Sequence, residues 1–400
     1  MRRASGWQGT VEGLRGAFGL VVGTRIAYWV AALVALLWAP LTSGFPLYDA
    51  YGARSDFIFG AFEKWDADWF LRVASHGYDV EQSASFFPLY PALTAALGFV
   101  LRSNLVAGTL ISLVAAGLSG VALVRIARAF TSPAVAADSV LFLALYPIAF
   151  VFTAVYSDAL FLALAAWSFL FALHRRPWAA GIAASLAVLT RPTGIALFPA
   201  LLMLLWPERR RIMKVLPLAL IPAALIGYCI YLHEHFGDAF AFLHSEGSFW
   251  LRDVPRTGPI GGAWWALKSG EQGAAQLIRH LPPASGAPQG FGKPEQFATW
   301  NVVQLLLLIV ASWLTWICWR RINRAAAVYS VATILVVLSA PAAVVPLVSV
   351  PRFLLGDFPL FIALGSLTER RPGLRTGVVV GFACTGLLAA VAFAHRIWVS

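Results

Sequence analysis

Charged residues are scarce in this chain of 400 residues. Lys, Arg, Asp and Glu make up 12% of it and hydrophobic residues 60%, whereas soluble domains average about 25% and roughly 45–50%. This shortage of charge excludes an ordinary soluble domain. Apolar runs of about 20 residues recur along the chain, and that is the length an α-helix needs to cross the hydrocarbon of a bilayer. The sequence therefore predicts an all-α polytopic membrane protein, with residues 1–400 forming one membrane domain.

Cysteine is also rare, and the three cysteines (Cys229, Cys318 and Cys384) lie inside apolar runs. They show neither a disulfide framework nor the spacing of a zinc motif. The apolar runs lack the period-two alternation that a membrane β-barrel requires. In His233-Glu234-His235 the two histidines are two residues apart and would point to different faces of a helix. The sequence therefore predicts no metal site and no cofactor.

Basic residues outnumber acidic ones by 30 to 19, but they gather in short clusters between apolar runs, so we expect no nucleic-acid partner. These clusters are Arg125/Arg128, Arg175/Arg176, Arg209–Arg211 with Lys214, Arg320/Arg321/Arg324 and Arg370/Arg371/Arg375. Cytoplasmic loops are enriched in Lys and Arg, which places the clusters and the N-terminus in the cytoplasm of a cell-membrane protein. Eleven crossings follow, within a range of ten to twelve, and the C-terminus lies outside. Their predicted bounds are 20–41, 104–124, 134–153, 157–173, 178–190, 194–206, 214–233, 301–319, 325–345, 352–368 and 375–395. The segment 86–101 is short and begins with two prolines, so we expect it to be re-entrant or partly inserted.

Two long loops, 42–85 and 233–300, then face the extracytoplasmic side. In the first loop Phe62, Trp65, Trp69 and Val73 form one apolar helical face, which predicts an amphipathic helix on the membrane surface. Asp66 lies beside that face, at headgroup height, where a carboxylate could act as a general base. Asp66 and Asp68 are about 200° apart on a helix, so only one of them would face a reacting centre.

Other polar groups come to the same side in separate turns. Arg191 lies in the broken turn Thr190–Gly194, Arg352 opens a later helix, and Asp158 ends a third turn. An arginine at mid-membrane costs at least about 2.5–3.5 kcal/mol, so one retained among apolar runs needs a partner. Blander interpretations stay open: the acids solvate a surface helix, the arginines reach outer phosphates, and Asp357 pairs with Arg352. Glu81 could likewise pair with Arg72 or His76.

The first loop carries a motif of a known family. Trp65-Asp66, Phe70, Ala74, Gly77-Tyr78, Glu81 and Phe86-Phe87-Pro88 resemble, without gaps, the PIG-V family of mannosyltransferases. Tyr156-Ser157-Asp158 is similar to the Tyr-Ser-Glu turn of that family, with Asp replacing Glu. Arg191 and Arg352-Phe353 resemble its later motifs. The short, arginine- and alanine-rich chain looks like an actinobacterial member.

The resemblance implies a GT-C type glycosyltransferase with a polyprenyl-phosphate-mannose donor and inversion at the anomeric carbon. It assigns Asp66 as the catalytic base and Asp68 as the second choice. It places Glu81 and Asp158 around the substrates, and Arg191 and Arg352 on the phosphate. Tyr78 and His76, in the same loop, are further candidates for substrate binding. Eukaryotic members act on the glycosylphosphatidylinositol anchor. Here the acceptor is expected to be a glycolipid or another hydroxyl compound at the bilayer.

Two other functions compete with this one. A transporter or lipid flippase would place ionisable groups near mid-membrane, often in repeated halves. No internal repeat is visible and the polar groups gather on one side, although the broken turn at 190–194 suits a transporter. An inactive scaffold for another transferase is the third hypothesis.

Overall fold

The structure is a computed structural model that describes residues 2–38, 57–206, 212–252, 254–255, 257–279, 294–343, 345–395, 397 and 399. Predictions that concern 39–56, the basic cluster at 209–211 and 280–293 lie outside these residues. The described part folds into α-helices without a β-strand. The α-helices are α1 (Arg2–Trp38), α2 (Phe57–Gly60), α3 (Asp66–His76), α4 (Leu89–Leu101), α5 (Asn104–Phe130), α6 (Pro133–Leu145), α7 (Asp158–Leu173), α8 (Pro177–Val188), α9 (Leu197–Leu205), α10 (Leu220–Phe236), α11 (Ala241–Trp250), α12 (Gly258–Arg279), α13 (Pro294–Arg321), α14 (Arg324–Leu338), α15 (Val350–Leu355), α16 (Phe358–Thr368) and α17 (Pro372–Ala394).

The predicted fold class, an all-α polytopic membrane protein, is confirmed. Among the described residues, five helical stretches are long and apolar enough to cross a membrane: Gly13–Trp38, Asn104–Phe130, Leu216–Phe236, Gln296–Arg321 and Pro372–Ala394. Seven shorter apolar helices accompany them, and the segment 86–101 contributes one of these as α4. A helix of 13 residues is only about 20 Å long, less than the hydrocarbon thickness. The number of crossings therefore stays a prediction.

Helix α5 lies at the centre of the bundle, against α1, α4, α6 and α7. Small residues on its surface allow neighbouring backbones to approach closely, as is usual between membrane helices. Gly108 shows this most directly, because a Cβ atom there would lie 2.6 Å from Val155 Cγ1. The chain just before Asp158 consequently packs directly on α5.

The predicted helix 134–153 is wrong in its second half. Helix α6 ends at Leu145, before Pro147, and a 3₁₀ turn follows at Ala149–Thr153. The segment is buried, so its backbone carbonyls need partners inside the bundle. Arg25 Nη2 donates to the Ala144 carbonyl, and Ser112 Oγ donates to the Tyr156 carbonyl at 3.1 Å. These bonds hold an irregular stretch that ends at Asp158.

The predicted helix 352–368 is also interrupted. Helices α15 and α16 are separated by Gly356 and Asp357. Asp357 is fully buried and accepts a 2.5 Å hydrogen bond from Ser330 Oγ. The proposed pairing of Asp357 with Arg352 is therefore wrong, because Arg352 bonds other carboxylates.

The amphipathic helix of the first loop is shorter than predicted and lies on protein. Trp65 precedes it with φ 61° and ψ −116°, which interrupts any helix running from Phe62 to Val73. The apolar face of α3 packs on α4 and α5, and Trp69 stacks on Phe86 with ring centroids 5.6 Å apart. Trp69 and Val73 are buried for this reason, and protein rather than lipid covers them.

Candidate active site

Four of the predicted site residues come together in one ion-pair network. Arg352 Nη1 lies 2.6 Å from Asp66 Oδ2, and Arg352 Nη2 lies 2.9 Å from Asp158 Oδ2. Arg191 Nη1 donates to Asp158 Oδ1. The side chains of Arg352, Asp66 and Asp158 are 11%, 19% and 3% exposed. We call Asp66, Asp158, Arg191 and Arg352 the charged cluster.

The local sequence explains how each segment presents its side chain. Asp66 and Asp158 are the first residues of α3 and α7, where a negative charge is stabilised by the helix dipole. Arg191 precedes Pro192, which disfavours a helical conformation for the residue before it. Arg191 is accordingly extended (φ −156°, ψ 140°) and separates α8 from the next 3₁₀ turn. Arg352 follows Pro351 in the first turn of α15.

Tyr156 connects two parts of the cluster. Its hydroxyl donates to the Lys64 carbonyl at 3.1 Å, directly before the start of α3. The guanidinium carbon of Arg352 lies 4.6 Å from the centroid of its ring, within the range of a cation–π contact. Tyr156 therefore fixes the position of the first loop relative to Arg352.

Sequence reasoning missed Arg252, which comes from the second long loop. Its Nη2 donates to the Val348 carbonyl at 2.7 Å and its Nη1 to the Ala340 carbonyl at 3.3 Å. Its Nε lies 3.4 Å from Glu246 Oε2. Burial raises the pKa of Glu246, although Arg252 opposes that rise. Arg252 thus ties α11 to the loop that leads into α15.

Phe353 lies between the arginines of different segments. Its ring centroid is 5.2 Å from the guanidinium carbon of Arg191 and 5.5 Å from that of Arg252. Beside it, Arg252 and Ala342 form an isolated antiparallel bridge, and the Ala343 N–H donates to the Leu251 carbonyl at 2.9 Å. No local pattern in the sequence indicates these contacts, because they join residues about 90 or more positions apart.

Unusual backbone conformations accompany this site. Among the described non-glycine residues, five have positive φ: Trp65, Arg102, Arg175, Leu251 and Ser349. Trp65 directly precedes Asp66, Leu251 directly precedes Arg252, and Ser349 lies three residues before Arg352. A bulky residue such as Trp rarely adopts φ 61° unless its surroundings hold it there. The segments around the cluster therefore carry conformational strain.

Glu63 is a second residue that sequence reasoning did not single out. Its side chain is 6% exposed, and neither carboxylate oxygen has a hydrogen-bond partner in the described residues. Burial, assisted by the nearby charge of Asp68, raises the pKa of Glu63 to about 8. Glu63, three residues before the start of α3, therefore holds its proton more tightly than an ordinary glutamic acid.

The other predicted site residues lie elsewhere. Asp68 is half-buried on the side of α3 that interacts with Glu63. His76 and Glu81 are exposed. Tyr78 is buried, and its hydroxyl donates to the Phe86 carbonyl at 2.6 Å. These positions do not join the charged cluster.

Arg72, one of the partners suggested for Glu81, pairs with another carboxylate of the first loop. Arg72 forms a bidentate pair with Asp79, with Nη2 2.7 Å from Oδ2 and Nε 2.9 Å from Oδ1. This pair lowers the pKa of Asp79.

In the part of the chain that the structure describes, no group of three or more His, Cys, Asp or Glu residues is arranged to hold a metal ion. His235 uses Nε2 to donate to the Tyr78 carbonyl at 2.6 Å and stacks on Tyr231. It therefore serves in packing between α10 and the first loop. Metal-independent chemistry stays a prediction.

Comparisons with known proteins were made for the whole chain. Residues 87–232 match the family model of the dolichyl-phosphate-mannose-protein mannosyltransferases. This match spans about a third of the chain, and it includes Asp158 and Arg191. No curated protein matches the chain.

Among solved structures, the chain is similar to the oligosaccharyltransferase of Archaeoglobus fulgidus in its apo form, with a TM-score of 0.43 and 12% identity. It is also similar to the archaeal oligosaccharyltransferase AglB from Archaeoglobus fulgidus in complex with an inhibitory peptide and a dolichol-phosphate, with a TM-score of 0.41 and 11% identity. Each comparison covers 93% of this chain and 55% of the other. The chain therefore spans about half the length of these proteins.

Proposed function

We propose that this chain is a membrane glycosyltransferase of the GT-C type that transfers mannose from a polyprenyl-phosphate-linked donor to a hydroxyl acceptor. The observation that carries the proposal is the charged cluster, which joins two carboxylates and two arginines from four separate segments. The match of residues 87–232 to a mannosyltransferase family supports it. The motif around Asp66 supports the PIG-V-like assignment.

The cluster supplies the groups that an inverting transfer needs. The acceptor oxygen attacks C1 of the mannosyl group while the bond from C1 to the phosphate oxygen breaks. Asp66 accepts the proton of the attacking hydroxyl. The leaving polyprenyl phosphate gains one negative charge, which Arg191 and Arg352 neutralise by charge-assisted hydrogen bonds. Arginine can serve this purpose for a monophosphate without a metal ion or another cofactor.

The charge distribution supports an extracytoplasmic site. Helix α7 begins at Asp158, and Arg175 and Arg176 follow its other end. Helix α16 begins beyond Arg352, and Arg370 follows its other end. A helix of 16 residues separates its ends by about 24 Å. If the basic pairs face the cytoplasm, the charged cluster lies on the opposite side of the membrane and the N-terminus inside.

The deciding experiment compares wild type with Asp66→Asn in single-turnover transfer from radiolabelled polyprenyl-phosphate-mannose, with membrane glycolipids as acceptors. Loss of a general base lowers the rate by about 10²–10⁴-fold. We expect wild type to label a lipid and Asp66→Asn to lose labelling by that factor, at equal amounts of inserted protein. Equal labelling by both proteins would remove Asp66 from the mechanism.

A transporter is the second candidate, and Arg25 is the observation that favours it. Arg25 lies within the apolar span of α1, is fully buried, and leaves Nε and Nη1 without a hydrogen-bond partner in the described residues. Ionisable groups within a membrane span often mark a transport pathway. However, Nη2 of Arg25 binds the Ala144 carbonyl at the broken end of α6, which gives it a structural role. A wild type that moves lipid-linked sugar between leaflets and labels no acceptor would establish transport instead.

A further inference from the structure

Arg352 divides its hydrogen bonds unequally between two carboxylates. Nη2 and Nε both point to Asp158, at 2.9 and 3.5 Å, whereas Nη1 alone binds Asp66, at 2.6 Å. Asp158 is almost fully buried and also binds Arg191. Asp66 is more exposed than Asp158. The bond between Arg352 and Asp66 is therefore the one that an incoming anion can replace while Arg352 stays anchored.

Asp66 meets conflicting demands in this arrangement. A general base must point an oxygen at the hydroxyl whose proton it accepts. One oxygen of Asp66 is held by a guanidinium instead, and protonation would disrupt this pair. A phosphate ester offers Arg352 the same kind of charged acceptor, because guanidinium groups bind phosphate and carboxylate with equivalent geometry.

We propose that the phosphate of the lipid-linked donor takes the place of Asp66 on Arg352 and thereby releases Asp66 to act as the base. This inference rests on the proposed function and adds an order to it, in which the donor binds before the base becomes available. Asp158 is the positioning residue of the exchange, because it holds Arg352 and Arg191 before and after the phosphate arrives.

The charges of the site balance through the reaction. Before transfer, Asp66, Asp158 and the phosphodiester of the donor each carry one negative charge. Transfer forms the bond from C1 to the acceptor oxygen and breaks the bond from C1 to the phosphate oxygen. The acceptor proton ends on Asp66, and the phosphate monoester holds the charge that Asp66 gave up. The two arginines therefore face a constant total charge.

Arg252 provides a contrast that limits the proposal to Arg352. Arg252 uses both Nη1 and Nη2 to bind backbone carbonyls, which a ligand cannot displace without moving the loop. The side-chain nitrogens of Arg352, by contrast, bind carboxylates and no backbone carbonyl in the part of the chain that the structure describes. Exchange of partners is therefore a property of Arg352 and not of every arginine near Phe353.

The test measures equilibrium binding of a short-chain polyprenyl phosphate in micelles of an uncharged detergent to wild type, Asp66→Asn and Asp66→Ala. If the two anions compete for Arg352, both variants should bind at least about fivefold more tightly than wild type, although they have lost transfer. Asp79→Asn breaks another Arg–Asp pair of the same loop and should bind like wild type. Equal or weaker binding by the Asp66 variants, with wild type still binding, would overturn the exchange and leave the proposed function standing.

A second measurement uses unaltered protein and so does not depend on how the variants fold. Carbodiimide-driven amidation of Asp66, followed by mass spectrometry, should rise several-fold when polyprenyl phosphate saturates wild type, whereas amidation of Asp79 should not change. An unchanged or reduced reaction at Asp66 contradicts the exchange. If phosphatidylglycerol produces the same rise, Arg352 is a general lipid anchor and the inference fails. If wild type binds no polyprenyl phosphate, the proposed function itself fails.

Discussion

Two sets of Arg–Asp pairs lie on either side of the break after α6. Before it, Arg375 Nε and Nη2 form three hydrogen bonds of 2.8–2.9 Å with Asp138, and no other described side chain shares this pair. After it, Asp158 forms ion pairs with both Arg191 and Arg352, and Arg352 also forms one with Asp66. The first set is a single pair in which both carboxylate oxygens bind one arginine, and it lies at the end of the bundle that carries the basic clusters. The second is a shared set at the opposite end.

The comparison shows that the number of arginines alone does not indicate a site. Arg375 is 45% exposed, and both oxygens of Asp138 accept hydrogen bonds from it. This pair fixes α17 to α6. In the charged cluster Asp158 and Arg352 each have two charged partners, and the bond from Arg352 to Asp66 is the one that we propose a ligand replaces. A ligand-binding arrangement therefore differs from a structural pair in three ways: its charged groups share partners, they are largely buried, and they come from distant segments of the chain.

The largest effect is expected for stability when Asp158 is replaced. Asp158→Asn removes the common partner of Arg191 and Arg352, whose side chains are 14% and 11% exposed. Breaking a buried ion pair costs about 3–5 kcal/mol. Asp138→Asn leaves a half-exposed arginine and should cost about 1 kcal/mol or less. Denaturant unfolding in micelles measures both. Equal losses would mean that the two sets are energetically alike.

The next effect concerns transfer. Arg352→Lys keeps the charge but replaces the planar fork with a point charge that cannot bind two carboxylates or a phosphate in the same way. We expect the single-turnover rate to fall about 10²–10³-fold, as when a donor to developing charge is lost. The matched change Arg375→Lys should alter the rate less than about twofold. A rate for Arg352→Lys near that of wild type would remove the guanidinium geometry from the mechanism.

Arg252 is intermediate between the structural pair of Arg375 and the charged cluster, because it lies next to the cluster but binds backbone carbonyls. Arg252→Ala leaves the Val348 and Ala340 carbonyls without their donor and frees the loop before α15. Small displacements of positioned groups are costly, so we expect transfer to fall about tenfold. Arg252→Lys should recover part of the rate, since one carbonyl can still be reached. Full activity of Arg252→Ala would show that the loop is held by other contacts.

The last prediction concerns the dependence of stability on pH. Since Glu63 has a pKa of about 8 in the folded protein and an ordinary one when unfolded, the folded state holds one proton more between these values. Its contribution to stability is present in acid and falls as the pH rises towards 8. In Glu63→Gln the thermal unfolding midpoint should therefore depend less on pH between about pH 5 and 8 than it does in wild type. If the slope of the midpoint against pH is unchanged in Glu63→Gln, Glu63 is not the source of the pH dependence.

Much of the fold could be predicted because membrane helices follow from long apolar runs alone. The predicted helix bounds were wrong near Pro147 and Asp357, where the chain leaves the helical conformation although the apolar run in the sequence continues. Buried donors such as Arg25 and Ser330 satisfy the interrupted backbone or the buried carboxylate there. Hydropathy cannot show these long-range partners, so the ends of helices were harder to predict than their existence.

The candidate site divides in the same way. Topology placed Asp66, Asp158, Arg191 and Arg352 on one side of the membrane, but it could not give the distances that join them. Tyr78 and Glu81 belong to a motif, and the motif records spacing along the chain rather than proximity to a ligand. Arg252 was missed because its contacts depend on the pairing with Ala342, far away in the sequence.

Arg25 also matters for the synthesis of the protein. It lies in the first helix, and its partner Ala144 follows 119 residues later. At about 5–20 residues per second, the ribosome needs roughly 6 to 24 s to reach that partner. During this interval α1 holds a charge in the bilayer that only lipid headgroups or water can solvate, at a cost of about 2.5–3.5 kcal/mol. The long apolar run of α1 offsets this cost, and the helix takes its final place when α6 arrives.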